Sequence, residues 1–292
     1  MKKNYIMLCI LALLVSISAQ AAQEERNAVY TTALNSLQYT PKESKQTAGK
    51  VIGEVLTAIV AGETTKEMEG YEEAVRAAVL KGLSGARRIK AIDGQLSQEE
   101  AAQPNTWYVD GTISTISSTT KIDTWEDKDK KKHSRTLYSG VVGVTLHFKD
   151  AHTDEVLFSP TFNITSSDTS WLDTAQGALN SAIVALSNRI TRYLNQALPL
   201  SALIIEGARE KKDKAKEVYI DLGDDDGCVK GMHFDVFTVK TVAGREAKKK
   251  VGRLKVTDVQ GDDISLCKVQ SGGRDIKSAI DAGEQLLIIT TD

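Results

Sequence analysis

From Tyr108 onward, the apolar residues of this chain recur mostly at every second position, in short runs punctuated by glycine. Val142, Val144, Leu146 and Phe148 alternate with Gly143, Thr145 and His147, and Val109, Gly111 and Ile113 share one face of Tyr108–Ile116. A period of two places successive side chains on opposite sides of the backbone, so such runs are half-buried strands. Val156, Phe158, Phe162 and Ile164 follow the Asp150-Ala151-His152-Thr153-Asp154 turn, which predicts a hairpin over 141–165. Helical spacing appears in three stripes, two before this rhythm begins and one within it. The stripes are Val51, Ile52, Val55, Leu56, Ile59 and Val60; Tyr71, Val75, Val79 and Leu83; and Leu179, Ile183, Leu186, Ile190 and Leu194. With a first strand at Val29–Leu37 and a short one at Ile89–Ile92, the order predicts an α+β fold. It would be an α/β sandwich whose helices cover one sheet face.

The period stays at two beyond residue 217. Val218–Ile220, Phe234–Val239, Leu254–Val256, Ile264–Val269 and Gln285–Thr290 predict five short strands with glycines between them, the pattern of a small β-barrel. Between the two regions, Gly207-Ala208-Arg209-Glu210-Lys211-Lys212-Asp213-Lys214 offers nothing to bury. The expected organisation is a signal peptide at 1–21, an α/β domain at 22–205, a charged linker at 206–216 and a barrel at 217–292. Of the 292 residues, 41% are hydrophobic and 26% charged, enough for real cores. The 37 Lys+Arg nearly balance 39 Asp+Glu, so the charge footprint of a nucleic-acid binder is missing.

The first residues read as an address. Lys2 and Lys3 precede an apolar run from Ile6 to Ile17, and Ala19-Gln20-Ala21 places small residues at a cleavage site. A bilayer span needs roughly 20 apolar residues, so cleavage after Ala21 is expected in preference to an uncleaved anchor. Cys9 lies inside the apolar run, where no lipid-bearing cysteine would stand. No later stretch is apolar enough to insert as a helix, so the expected location is the periplasm or the periphery of the outer membrane. In an oxidising compartment Cys228 and Cys267 could join, a bond worth about 3–4 kcal/mol on chain-entropy grounds. The alternative is two buried thiols.

Candidates for chemistry are few. His147 and His152 flank a turn near Asp150 and Asp154, but a metal or acid–base site needs them convergent. Asp224-Asp225-Asp226-Gly227 lacks oxygen ligands where a calcium loop needs them, because Leu222 and His233 fall at its first and last positions. Ala48-Gly49-Lys50 has Ser44 in place of the first P-loop glycine. We expect no catalytic residue, metal or cofactor. Trp125 in a very polar segment, beside Lys130, Lys131 and Lys132, is the candidate partner-binding patch. Burial of Trp125 under its own loop, with the lysines as solvated tips, is the competing reading.

Two stretches carry family resemblances. Phe148-Lys149-Asp150-Ala151-His152-Thr153-Asp154-Glu155-Val156 resembles the D-x-x-T-G-E-V hairpin of the curli-secretion-channel (CsgG-like) superfamily, with Asp154 where that family usually has Gly. Tyr108-Val109-Asp110-Gly111-Thr112-Ile113 resembles its preceding strand, and the likeness, shared with TolB N-terminal domains, covers about 27–200. Val218-Tyr219-Ile220-Asp221-Leu222-Gly223 and Asp226–Phe237 resemble the C-terminal domain of flagellar assembly protein T, an SH3-like barrel. That alignment puts Cys228 and Cys267 at core-facing positions. The resemblances imply envelope assembly or regulation without chemistry. Secretion channels need membrane hairpins, yet the corresponding segment here is Glu126-Asp127-Lys128-Asp129-Lys130-Lys131-Lys132-His133, which cannot sit in lipid.

The expected function is therefore that of a non-catalytic exported scaffold contacting envelope proteins or copies of itself. A regulatory module that activates a cell-wall enzyme or binds a glycan is the alternative. An enzyme would require His147, His152 and the nearby acids in one pocket.

Overall fold

The computed structural model describes residues 27–40 and 64–291. The expected signal peptide at 1–21, Cys9, the Ala48-Gly49-Lys50 fragment and the helical stripe at 51–60 lie outside the described residues. The fold is mixed α+β and mostly strand, with four helices among the described residues and a closed six-stranded barrel. Two compact units divide the chain: residues 29–194, and residues from 195 onward together with Asn27 and Ala28.

The first unit runs β1 (Tyr30–Tyr39), α1 (Thr64–Ser84), β2 (Ile89–Asp93), α2 (Gln98–Ala101), β3 (Thr106–Glu126), β4 (Lys132–Asp150), β5 (Val156–Phe158), β6 (Thr161–Ile164) and α3 (Ala175–Ala197). The strand order is β2-β1-β3-β4-β5, and β6 also pairs with β4. β1 is parallel to β2 and β3, while β4 is antiparallel to β3, β5 and β6. The hairpin expected over 141–165 thus forms, with β4 returning through β5 and β6. Alternation does what the sequence requires. Val109 and Ile113 of β3, with Val142, Val144, Leu146 and Phe148 of β4, are fully buried. Asp110, His147 and Lys149 occupy the opposite, polar face, where Lys149 reaches Asp110 at 2.9 Å.

The helices pack on the apolar face. Val75, Val79 and Leu83 of α1, and Leu186, Ile190 and Leu194 of α3, are buried at helical spacing. Glycines set how closely these elements approach. A Cβ on Gly140 would lie 2.3 Å from the Ala178 carbonyl oxygen, so only glycine lets α3 cross β4 there. On α1, a Cβ on Gly82 would meet Ile190 at 2.8 Å. Trp107 stacks on Tyr30 with centroids 4.0 Å apart, and Phe148 stacks on Phe158 at 4.4 Å, closing the core beside β5.

The second unit contains β7 (Ser201–Lys211), β8 (Lys214–Ile220), β9 (His233–Val242), β10 (Arg245–Val259), β11 (Ser265–Ser271), α4 (Gly273–Asp281) and β12 (Leu286–Thr290). The barrel closes in the order β10-β11-β8-β7-β12-β9. This corrects two expectations. Residues 206–216 are not a linker, and the barrel has six strands rather than five, because β7 and β8 form a hairpin through a turn at Lys212 and Asp213. The charged residues that suggested a linker are paired across that hairpin and onto α4. Arg209 grips Glu217 with two bonds of 2.7 and 2.8 Å, Lys277 bonds Glu210, and Arg274 bonds Asp213. The hydrophobic anchors of this segment, Leu200 just before β7 and Ala202 within it, lie upstream of the charged run. Inside the barrel, Phe234, Val236, Leu254, Val256, Ile288 and Ile276 of α4 form one core.

Candidate functional site

β3 and β4 outrun the sheet that holds them. β1 accompanies β3 only as far as Ile113, and β6 accompanies β4 only from Val142, yet the β3–β4 ladder continues to Glu126↔Lys132. Among the described residues no third strand accompanies the pair beyond Thr120 and Tyr138, and at about 3.3 Å per residue this two-stranded ribbon projects roughly 20 Å further to Glu126. A flap from α3's N-terminal side braces its base. Tyr138 and Leu172 exchange backbone bonds of 2.7 and 2.8 Å, and the Lys121 ammonium sits over the Trp171 ring at 4.5 Å. Thr165 and Arg189 both bond Asp168, fixing where the flap leaves β6. The Thr165 amide is the largest influence holding the Asp168 carboxyl below its ordinary range, and Arg189 adds to it.

Register assembles the tip. Trp125 lies opposite His133 and Asp123 opposite Arg135, all on one face because cross-strand partners share a face. The Trp125 and His133 rings stack, 5.4 Å apart and inclined by 20°. Arg135 lies 5.7 Å from the Trp125 ring and bonds Asp123 at 3.0 Å. Asp127 organises the turn. Its Oδ1 accepts the Asp129 and Lys131 amides at 2.9 Å each, while Oδ2 lies 2.8 Å from His133 Nε2. The His133 contact, followed by the Lys131 amide, holds the Asp127 carboxyl below the usual carboxylate range. A shallow depression of about 480 Å³ is lined by Thr124, Trp125, Glu126, Lys132, His133 and Ser134.

Trp125 is therefore exposed, at 46%, and not buried under its own loop. Lys130 lies in the tip turn with φ 62°, and Lys131 and Lys132 follow it, all exposed. Sequence reasoning did not single out two members of the patch, His133 and Arg135, which join Trp125, nor Ile122, which is 73% exposed on the opposite face. The signal for His133 and Arg135 was the strand alternation that continues to Leu137, hidden because the segment was read as a loop.

The other candidates do not converge. His147 bonds the Ser159 hydroxyl at 2.8 Å, whereas His152 bonds the Gln103 carbonyl at 3.0 Å. Among the described residues, no group of three His, Cys, Asp or Glu side chains is placed to hold a metal. The Asp224–Asp226 turn docks on the next loop, the Asp224 and Asp225 amides bonding Gly261 and Asp262 carbonyls at 3.1 Å. Cys228 and Cys267 are not joined here. Both are buried thiols in the barrel core, the Ser265 hydroxyl lies 3.4 Å from Cys228 Sγ, and burial pushes the Cys267 thiol up to about 12. No described helix is long and apolar enough to cross a membrane.

No family model and no curated protein matches the sequence. Among solved structures, the chain is similar to a neuraminyllactose-binding hemagglutinin homologue from Helicobacter pylori, at 11% identity and TM-score 0.30, covering 59% of this chain and 88% of that one. It is also similar to a PelC dodecamer from Paraburkholderia phytofirmans, at 15% identity and TM-score 0.27, covering 56% and 90%. A hypothetical protein from Chlamydia trachomatis matches at 12% identity and TM-score 0.26, covering 59% and 96%. Likeness this distant leaves function to be argued from the chain's own residues.

Proposed function

We propose that this protein is a non-catalytic, exported component of the cell envelope that works as an assembly scaffold through protein–protein contacts. The observation that carries the reading is the β3–β4 ribbon. A connection between two sheet strands needs only a short turn, yet this chain extends both strands and ends them in an exposed Trp–His stack with Arg135 and four lysines around it. Trp and Arg are enriched among the side chains that anchor interfaces, Trp because it buries a large rigid area and Arg because its planar guanidinium both stacks and hydrogen-bonds. In this reading the unit of β1–β6 is an α/β sandwich of the CsgG-like kind, and the closed barrel is an SH3-like module like that of flagellar assembly protein T. Residues 1–21 direct export, and the protein resides in the periplasm or at the outer membrane's periphery.

The test is affinity capture of the full-length protein from its own envelope fraction after crosslinking, comparing the native chain with Trp125→Ala and Arg135→Ala. These exposed substitutions are expected to leave the fold intact and to remove the captured proteins. Unchanged capture by both variants would overturn the Trp125–Arg135 face of the ribbon as the contact surface. Preferential recovery of a glycan or a single cell-wall enzyme would shift the reading to a regulatory module.

A further inference from the structure

The ribbon has two outer edges, and they differ. Among the described residues, the outward backbone groups of β3 have no partner from Ser114 to Glu126, and those of β4 have none from Lys132 to Leu137. An unpaired strand edge is a template for another strand, and proteins usually blunt it with charge, proline or a bulge. The β4 edge is blunted. Pairing Lys132–Leu137 with a copy of itself about Ser134 would set His133 against Arg135. β3 is not. Its edge sequence, Ser118-Thr119-Thr120-Lys121-Ile122-Asp123-Thr124-Trp125-Glu126, is rich in β-branched residues and has no proline. The bulge between Ile113 and Thr115 lies below it.

The geometry points to a second copy of this chain as the occupant of the β3 edge, paired antiparallel about a two-fold axis at Ile122. This rests on reading the ribbon as a contact arm, and it names the partner. In that register, Lys121 faces Asp123 of the other copy and Asp123 faces its Lys121, so the edge charges match twice. Thr120 meets Thr124, Thr119 meets Trp125, and Ile122 meets its own copy, joining side chains that are 73% exposed in one chain. Shifting the axis to lie between Lys121 and Ile122 sets Lys121 against Ile122 and Asp123 against Thr120, losing both charge matches. The product is a four-stranded β4-β3-β3-β4 ribbon with the sheet-bearing unit of each copy at its opposite ends. A two-fold contact of this kind is self-complementary and closed, so it produces a dimer and no filament.

The register makes the test specific. Ile122→Cys in the full chain, oxidised with copper phenanthroline, is expected to give a disulfide-linked dimer. Ser117→Cys is not, because ten residues of antiparallel offset separate the two sulfurs by roughly 33 Å. By light scattering, Thr120→Lys with Thr124→Lys puts like charges opposite and is expected to weaken dimerisation by roughly tenfold or more. Thr120→Lys with Thr124→Glu restores it. Neither threonine side chain is needed by the ribbon's own hydrogen bonds, so both variants fold as the native chain does. A monomer at every concentration, with Ile122→Cys crosslinking no faster than Ser117→Cys, overturns the proposal. If partner capture still depends on Trp125, the scaffold reading survives while self-pairing falls. If capture is insensitive to Trp125 but Ile122→Cys crosslinks, self-pairing stands and the Trp125 face is not its partner site.

Discussion

Cys228 and Cys267 show how far single residues could be read. Their spacing and the expected export permit a staple, and the resemblance to a small barrel domain would put them at core-facing positions; both arguments are silent on whether the sulfurs join. In the structure each is a buried thiol in the barrel core. Because burial raises the Cys267 thiol to about 12, almost none of it is thiolate at neutral pH, and thiolate is the reactive form. Ellman's reagent at pH 8 should therefore find no reactive thiol in the folded full chain lacking Cys9 and two after denaturation. Two equivalents before unfolding would contradict the burial, and none after it would mean a disulfide. A sign also follows for alkaline pH. The unfolded thiol ionises near pH 8.5 while the folded one stays protonated, so this residue's contribution to stability is lost as pH climbs from there toward 12.

At the scale of elements, strands with an apolar face were legible and ribbons were not. Val142–Phe148 reveals its burial because every second residue is apolar, and the α3 stripe does the same at helical spacing. Glu126–Arg135 and Arg209–Lys214 have no buried face, so nothing in their pattern distinguishes strand from loop. Pairing with a neighbour, not burial, makes them strands. That is why the tip's Trp–His–Arg cluster escaped while Trp125 and the lysines did not. The crossing of α3 over β4 depends on Gly140. Gly140→Val should cost about 2–4 kcal/mol in denaturant unfolding, since the branched side chain must displace the Ala178 backbone. The flap behind the ribbon has an acid limb. Asp168 has its carboxyl lowered in the fold, so its contribution is present above pH about 4 and is lost as pH falls through the folded value. Asp168→Asn should lower stability at pH 7 and flatten the decline between pH 4 and 2, as followed by circular dichroism.

For the whole molecule, the class of fold was accessible because helical and strand periodicities are each clear where a face is buried, but the boundary was misplaced. Charge density marked a cut near residue 206, whereas the units part close to Leu194. A polar hairpin resembles a linker until its partners are known, and Glu217, Lys277 and Arg274 lie downstream of it in sequence. Each unit has its own apolar core. Two calorimetric transitions are therefore expected, with Gly140→Val lowering only one of them and a core change such as Phe234→Ala only the other. A single transition moved by both substitutions would mean that the units unfold together.

Asn27 belongs with the barrel although the chain must still traverse the entire α/β unit to reach it. Its side chain donates to the Ser201 carbonyl at 2.8 Å and accepts the Ser201 amide at 2.9 Å. The strand it clasps, β7, is paired to β12 near the other end of the chain. Mechanical tension applied between the two ends therefore has a short circuit: it passes from Asn27 through β7 to β12. The α/β unit hangs outside the load path as a slack loop until those two hydrogen bonds give way.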